Sequence, residues 1–264
     1  MAITSRDGWF ASAKQRCPWS KTTTRTTVAQ RWFSLFDIAG NPGAGTLNAG
    51  NTANGVVPTN VTNGYPPINA FGASAAGYIG RVGFSSTVAC RIKLYDRVFH
   101  AGAYAFNANT ALSSQPSFSG RMPVGSFTGT ELWVEQVTAA TGNQAVNVTY
   151  TDQAGNTGNT TGAVGIGAAP TVGSCWRLPL AAGDSGIQAV TNVAGTVATA
   201  GTFNVMVLRN LWEGRVIVAG WGDVHDLLRT GLPPVFADSA LYVMVAADST
   251  SSGLPELNID VVNG

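Results

Sequence analysis

Residues 87–102 read TVACRIKLYDRVFHAG, and the first half of that run alternates strictly. Val88, Cys90, Ile92 and Leu94 fall on one side, and Ala89, Arg91, Lys93 and Tyr95 on the other. A period of two with one apolar side is the pattern of a half-buried strand. Comparable runs recur at 28–36 (VAQRWFSLF), 78–86, 130–140, 145–161, 175–180, 187–194, 202–211 and 241–248. They are rich in β-branched and aromatic residues and are separated by Gly, Asn, Asp and Pro. The run at 145–161 contains a turn at Asp152–Gly155 and predicts a hairpin. Only two helices are expected. One is capped by Thr4 or Ser5 and extends to about residue 16; the other lies in DVHDLLRTGL, 223–232. Eight or nine strands without a βαβ rhythm predict an all-β, antiparallel β-sandwich, jelly-roll-like in its long end loops.

Two stretches lack this rhythm. Residues 1–27 are polar, basic and Thr-rich, and read as an N-terminal arm ahead of a single β domain spanning 28–264. Residues 39–71 form a long Gly/Asn/Pro segment, expected as an extended loop that a neighbouring molecule orders. Both carry separated apolar anchors: Trp9, Phe10 and Trp19 in the first, Tyr65, Ile68 and Phe71 in the second. With Arg16 and Arg25 they make a candidate protein interface. The same mixture of aromatics and cations can hold single-stranded nucleic acid, but six cations over 31 residues form no dense patch.

Composition sharpens the picture. Hydrophobic residues make up 45% of the 264 positions, enough for a core, while charged residues make up only 11% against about 25% in ordinary soluble domains. A surface so poor in charge suits a subunit covered by neighbours, including copies of itself. The net charge of +1 hides a basic start and an acidic end, which can pair within one chain or between chains. Three cysteines, Cys17, Cys90 and Cys175, with no Cys-x-x-Cys, argue against a disulfide framework and a zinc cluster. No apolar leader opens the chain and no apolar run reaches membrane-spanning length, so no secretion signal and no membrane partner are expected, although the composition also suits a secreted Gly/Thr-rich β protein.

Candidate chemistry is sparse. Gly183-Asp184-Ser185-Gly186 matches the tetrapeptide around the nucleophile of chymotrypsin-like serine proteases. That mechanism needs a His base and a carboxylate. Only His100 precedes Ser185, with Val98-Phe99 where the protease family has small residues and Ile187 where it has a second Gly. The alternative is a polar turn between strands, in which Asp and Ser bond nearby backbone. Asp223, His225 and Asp226 are the nearest approach to a metal set. Glu131 and Glu135 flank Trp133 on one strand face, which admits a glycosidase pair or a sugar-stacking surface. No P-loop follows the glycine-rich stretches. No catalytic residue, cofactor or metal is assigned.

Several ordered blocks resemble a family of tailed-bacteriophage structural proteins. They are MAITSRDG at the start, AQRWFSLFDIAGNPGAGTLN (29–48), LYDRVFHAGA (94–103), VTYTDQAGNTGNTT (148–161) and LPLAAGDSGIQAV (178–190). The resemblance implies a virion component without catalytic residues, made in the host cytoplasm. Within that class a β-sandwich with an apolar-anchored arm suits a decoration, or cement, protein on the major capsid protein, with a tail or neck component as the alternative. It also implies that Ser185 is a turn residue, since the family accepts Thr there. Outside this class stand a carbohydrate-binding module and a protease using Ser185.

Overall fold

The computed structural model describes residues 6–72, 76–168, 170–196 and 200–263. In chain order the elements are α1 (Arg6–Ala11), β1 (Lys14–Lys21), β2 (Trp32–Ser34), β3 (Gly40–Asn41), β4 (Asn51–Val56), β5 (Gly77–Ser86), β6 (Cys90–Ala105), β7 (Asn109–Ala111), β8 (Thr130–Thr138) and β9 (Asn143–Asp152). They continue with β10 (Asn159–Thr160), β11 (Val164–Ala168), β12 (Ser174–Leu178), β13 (Ile187–Gly195), β14 (Thr202–Val216), β15 (Gly222–His225), α2 (Leu227–Thr230), β16 (Pro234–Val235), β17 (Leu241–Ala247) and β18 (Pro255–Asn263). The fold is all-β and its resolved strand pairs are antiparallel. The chain divides into two compact units: Met1–Gly45, Thr59–Asp96 and Leu211–Gly264 form unit 1, and Thr46–Pro58 and Arg97–Asn210 form unit 2.

In unit 1 a six-stranded sheet runs β15–β5–β18–β1–β3, with β16 also on β5. A second set places β17 between β2 and the first half of β6. One core cluster draws Cys17 and Trp19 from β1, Ile79, Val82 and Phe84 from β5, and Leu257, Ile259 and Val261 from β18. It draws Cys90, Ile92 and Leu94 from β6, the face that the alternation singled out, with Val88 packed beside it. In unit 2, β9 lies between β13 and the short strands β10 and β11, while β8 lies between β14 and β12. Val148, Tyr150, Val190, Leu132, Val134 and Val205 are among its core residues.

The 152–155 hairpin forms as expected. Asp152 accepts backbone hydrogens from Ala154 at 2.8 Å and Asn156 at 2.9 Å, and β10 returns along β9. The second helix is only α2, capped by Asp226 and ended by Gly231 at φ 69°. The first ends at Ala11, and its expected caps, Thr4 and Ser5, lie outside the described residues.

The largest departure concerns the arm. Residues 14–21 form β1, paired with β18 from Lys14↔Val262 to Ser20↔Glu256. Cys17 and Trp19 face the core, so this part of the chain is built into the sheet. Pro18 is accommodated because β3 covers only Ser20 and Lys21, leaving β1 an edge at the proline. Lys21 follows the buried face. Its Nζ donates to the carbonyls of Ile38 at 3.0 Å and Pro42 at 3.1 Å, and burial pulls its pKa down to about 8.

The 39–71 segment also packs within unit 1 where its residues belong to it. Phe36 stacks on Tyr65 with ring centroids 4.7 Å apart. A Cβ at Gly45 or Gly64 would sit 2.2 Å or 2.4 Å from the Phe36 ring. Glycine at these two positions lets the segment close around the aromatic ring.

Candidate functional site

The seven residues expected at an interface separate into two groups. Trp19, Tyr65 and Phe71 are 3–4% exposed and belong to the interior of unit 1. Arg25 forms an ion pair with Asp37, and its side chain is 10% exposed. These four are corrected from anchors for a partner to internal contacts. For Trp19 the reason is the pairing of β1, which turns Cys17, Trp19 and Lys21 inward; Tyr65 packs on Phe36 and Phe71 lies over Gly77. Trp9, Phe10 and Arg16 remain at the surface of unit 1.

The outer face of the six-stranded sheet is built from the alternate residues of four strands. Cross-strand register arranges them in rows. Arg16, Asp260 and Arg81 form the first, Pro18, Asn258, Gly83 and Val224 the second, and Ser20, Glu256, Ser85 and Gly222 the third. In the first row Asp260 accepts from Arg16 Nε at 2.8 Å and from Arg81 Nη1 at 3.2 Å. Burial pushes the Asp260 carboxyl up, but the two arginines outweigh it and hold it below its ordinary value. The opposite charges of the two chain ends therefore meet within one chain. A groove of about 390 Å³ lies on this face, lined by Arg16, Arg81, Gly83, Ser85, Asn258 and Glu256 among others.

Beside it lies an apolar recess of about 450 Å³, lined by Trp9, Phe10, Gly80, Arg81, Asp226, Leu227 and Leu228. The sheet makes room for it with a bulge. Ile79 pairs with Val261 and Arg81 with Asp260, leaving Gly80 as the extra residue. A Cβ on Gly80 would come within 2.5 Å of Trp9 Nε1, so the indole rests on bare backbone. Lys14 Nζ covers the other part of the ring, 4.7 Å from its centroid. Phe10 is 58% exposed and Leu228 83%. Sequence reasoning found Trp9, Phe10 and Arg16, but not Arg81, Gly83, Asn258 or Leu228.

Ser185 lies in unit 2. Asp184 N donates to the Ala181 carbonyl at 3.1 Å, with Gly183 at φ 93°, closing a turn. The backbone amides of Ser185 and Gly186 both donate to Gln153 Oε1, at 2.8 and 3.1 Å. Tyr150 OH donates to Asp184 Oδ2 at 2.6 Å; burial and that bond raise the phenol to about 12. His100 is 4% exposed, with Nδ1 3.3 Å from Arg97 Nη1. The glycine requirement at 186 is steric, since a Cβ there would lie 2.0 Å from the Phe127 carbonyl oxygen.

The remaining candidates are engaged in packing. Trp133 is 2% exposed and donates from Nε1 to Glu131 Oε2 at 2.8 Å, so it presents no stacking surface. Glu135 is fully buried, 3.9 Å from Arg97 Nη2. In unit 1, His225 Nδ1 accepts from Trp212 Nε1 at 2.9 Å, Asp223 pairs with Arg229 at 3.1 Å, and Asp226 caps α2. Among the described residues no three His, Cys, Asp or Glu side chains gather as a metal set, and no helix is long and apolar enough to cross a membrane. Comparisons of the chain with protein-family models, with curated proteins and with solved structures find no match.

Proposed function

We propose that this chain is a structural protein of a tailed-bacteriophage particle, a decoration protein that sits on the major capsid protein and clamps neighbouring subunits. In this reading the sheets of each unit pack as a β-sandwich, and copies of the chain meet one another on the particle. The carrying observation is the turn that leads into β15. Ile217, Val218 and Trp221 are 60–74% exposed within five residues of unit 1. Three large apolar side chains so close together, on a chain only 11% charged, form a surface suited to cover by another protein. Nucleic acid is not the proposed partner, because Arg16, Lys21 and Arg25 are already engaged with Asp260, backbone carbonyls and Asp37.

The blocks that resemble the phage family are read here as structural, because their side chains hold the fold. Asp96 accepts from Ser239 Oγ at 2.8 Å and from Ala240 N at 3.0 Å. Arg97 faces Glu135, and the Gly-Asp-Ser-Gly turn is tied to Gln153. The test is a copy number from quantitative mass spectrometry of purified particles, together with addition of Ile217→Asp/Trp221→Asp protein to undecorated particles. Hundreds of copies, and a folded double variant that no longer adds, are expected. Tens of copies or fewer would move the protein to the neck or tail, and none would remove it from the particle.

A further inference from the structure

Gly80 and Gly83 both interrupt β5, but only one is explained by the protein itself. Gly80 makes room for Trp9. A Cβ on Gly83 would meet only Val224 Cγ2 at 3.8 Å and Asn258 Cβ at 3.9 Å, both ordinary contacts. Glycine weakens a strand interior, and a close approach by a ligand or another backbone is one reason a strand keeps it. Gly83 lines the groove on the outer face of the sheet.

We propose that this groove binds a neutral oligosaccharide. Its rim combines donors, Arg16 and Arg81, acceptors, Asp223 and Glu256, and side chains that do both, Asn258 and Ser85. Hydroxyl groups both donate and accept, so they can satisfy such a mixed rim. The fixed charges are largely compensated in place, since Asp260 lies between Arg16 and Arg81, and Asp223 pairs with Arg229. A charged ligand gains against one of these groups and loses against the next. Arg81 lines both the groove and the apolar recess, so one ligand can run from the Gly83 floor to Phe10 and Leu228. There the C–H face of a sugar ring meets an exposed aromatic side chain. Volumes of about 390 and 450 Å³ are each of small-ligand size. An extended peptide is the poorer fit. The floor is the face of a sheet whose central strands β5 and β18 are paired on both sides, so it offers no open edge for a peptide main chain.

This assignment does not depend on the particle reading and is tested on the free chain. The probes are an array of neutral and acidic oligosaccharides, followed by calorimetric titration with the best neutral one. Gly83→Val fills the floor, and Asn258→Ala removes an exposed amide from the rim. Each is expected to weaken binding at least about tenfold, the scale of one lost hydrogen bond. Val124→Ala, on an exposed loop of unit 2, is expected to leave binding unchanged. If Gly83→Val fails to fold, Asn258→Ala alone decides. Absence of neutral-glycan binding at millimolar concentration, binding restricted to acidic glycans, or affinity unchanged in a folded rim variant would each overturn the proposal. A protein chain that crosslinks to the groove in particles, with no glycan bound by the free chain, would overturn it in favour of a protein partner.

Discussion

Each unit contains an arginine–carboxylate group, and the two differ in what surrounds them. In unit 1 Asp260 lies between Arg16 and Arg81, whose side chains are 61% and 37% exposed. Asp260 itself is 11% exposed, but both arginines reach water and screening holds the group's worth to stability to about 1 kcal/mol. In unit 2 Arg97 and Glu135 are fully buried. Glu135 also accepts from Asn204 Nδ2 at 3.1 Å, and Arg121 Nη2 donates to the Arg97 carbonyl at 2.9 Å. Removing one partner there leaves the other charge buried and less compensated. Arginine and carboxylate thus meet beside water in one unit and wholly in the interior in the other.

The largest expected effect follows directly. Glu135→Ala should destabilise unit 2 by about 3–5 kcal/mol, read as a shift in the urea midpoint. A loss under about 1 kcal/mol would place Glu135 in the same class as Asp260 and break the comparison. A smaller effect concerns acid. His100 is buried beside Arg97, and burial first, then the arginine, hold its pKa well below the ordinary 6.5. The unfolded chain takes up a proton near pH 6.5 while the folded one does not. Stability is therefore full above that pH and falls below it, by up to about 1.4 kcal/mol per pH unit until the folded pKa is reached. His100→Gln should flatten the profile between neutrality and pH 5, and an unchanged slope would assign the acid sensitivity to other groups. The smallest effect is at the surface. Asp260→Ala should cost about 1 kcal/mol or less and diminish further in high salt. A cost as large as that of Glu135→Ala would show that the unit 1 group is structural too.

Much of the fold was legible because it follows side-chain period. The 87–95 run needed only alternation to place Cys90, Ile92 and Leu94 in the core, and the 152–155 turn needed only its turn residues. Strand β1 was not legible. In KQRCPWSK only Cys17 and Trp19 are apolar, a proline stands between them, and its partner strand lies at the other end of the chain. Nor does sequence show that the chain passes between units at Asp96–Arg97 and at Asn210–Leu211, inside the continuous strands β6 and β14. No glycine or proline marks either crossing. The groove was the least visible. Its residues come from β1, β5, β15 and β18, and apart from Phe84 and Val224 they are small or polar without forming a motif. In a chain with 32 glycines, Gly83 has no distinguishing sequence context.

Strand β18 has a consequence for how the protein is made. It is the partner of both β5 and β1, and Arg16 and Asp260 are 244 positions apart. A ribosome releases β1 and β5 long before the strand that joins them. Until residues 255–263 emerge, both strands present open edges and an apolar side containing Trp19, Ile79 and Phe84. Long-range pairing of this kind closes slowly and leaves nascent chains open to aggregation. Synthesis rate and chaperone supply, rather than final stability, should therefore set the yield of soluble protein. A truncation shortly before Pro255 would release a chain without the central strand of its first sheet.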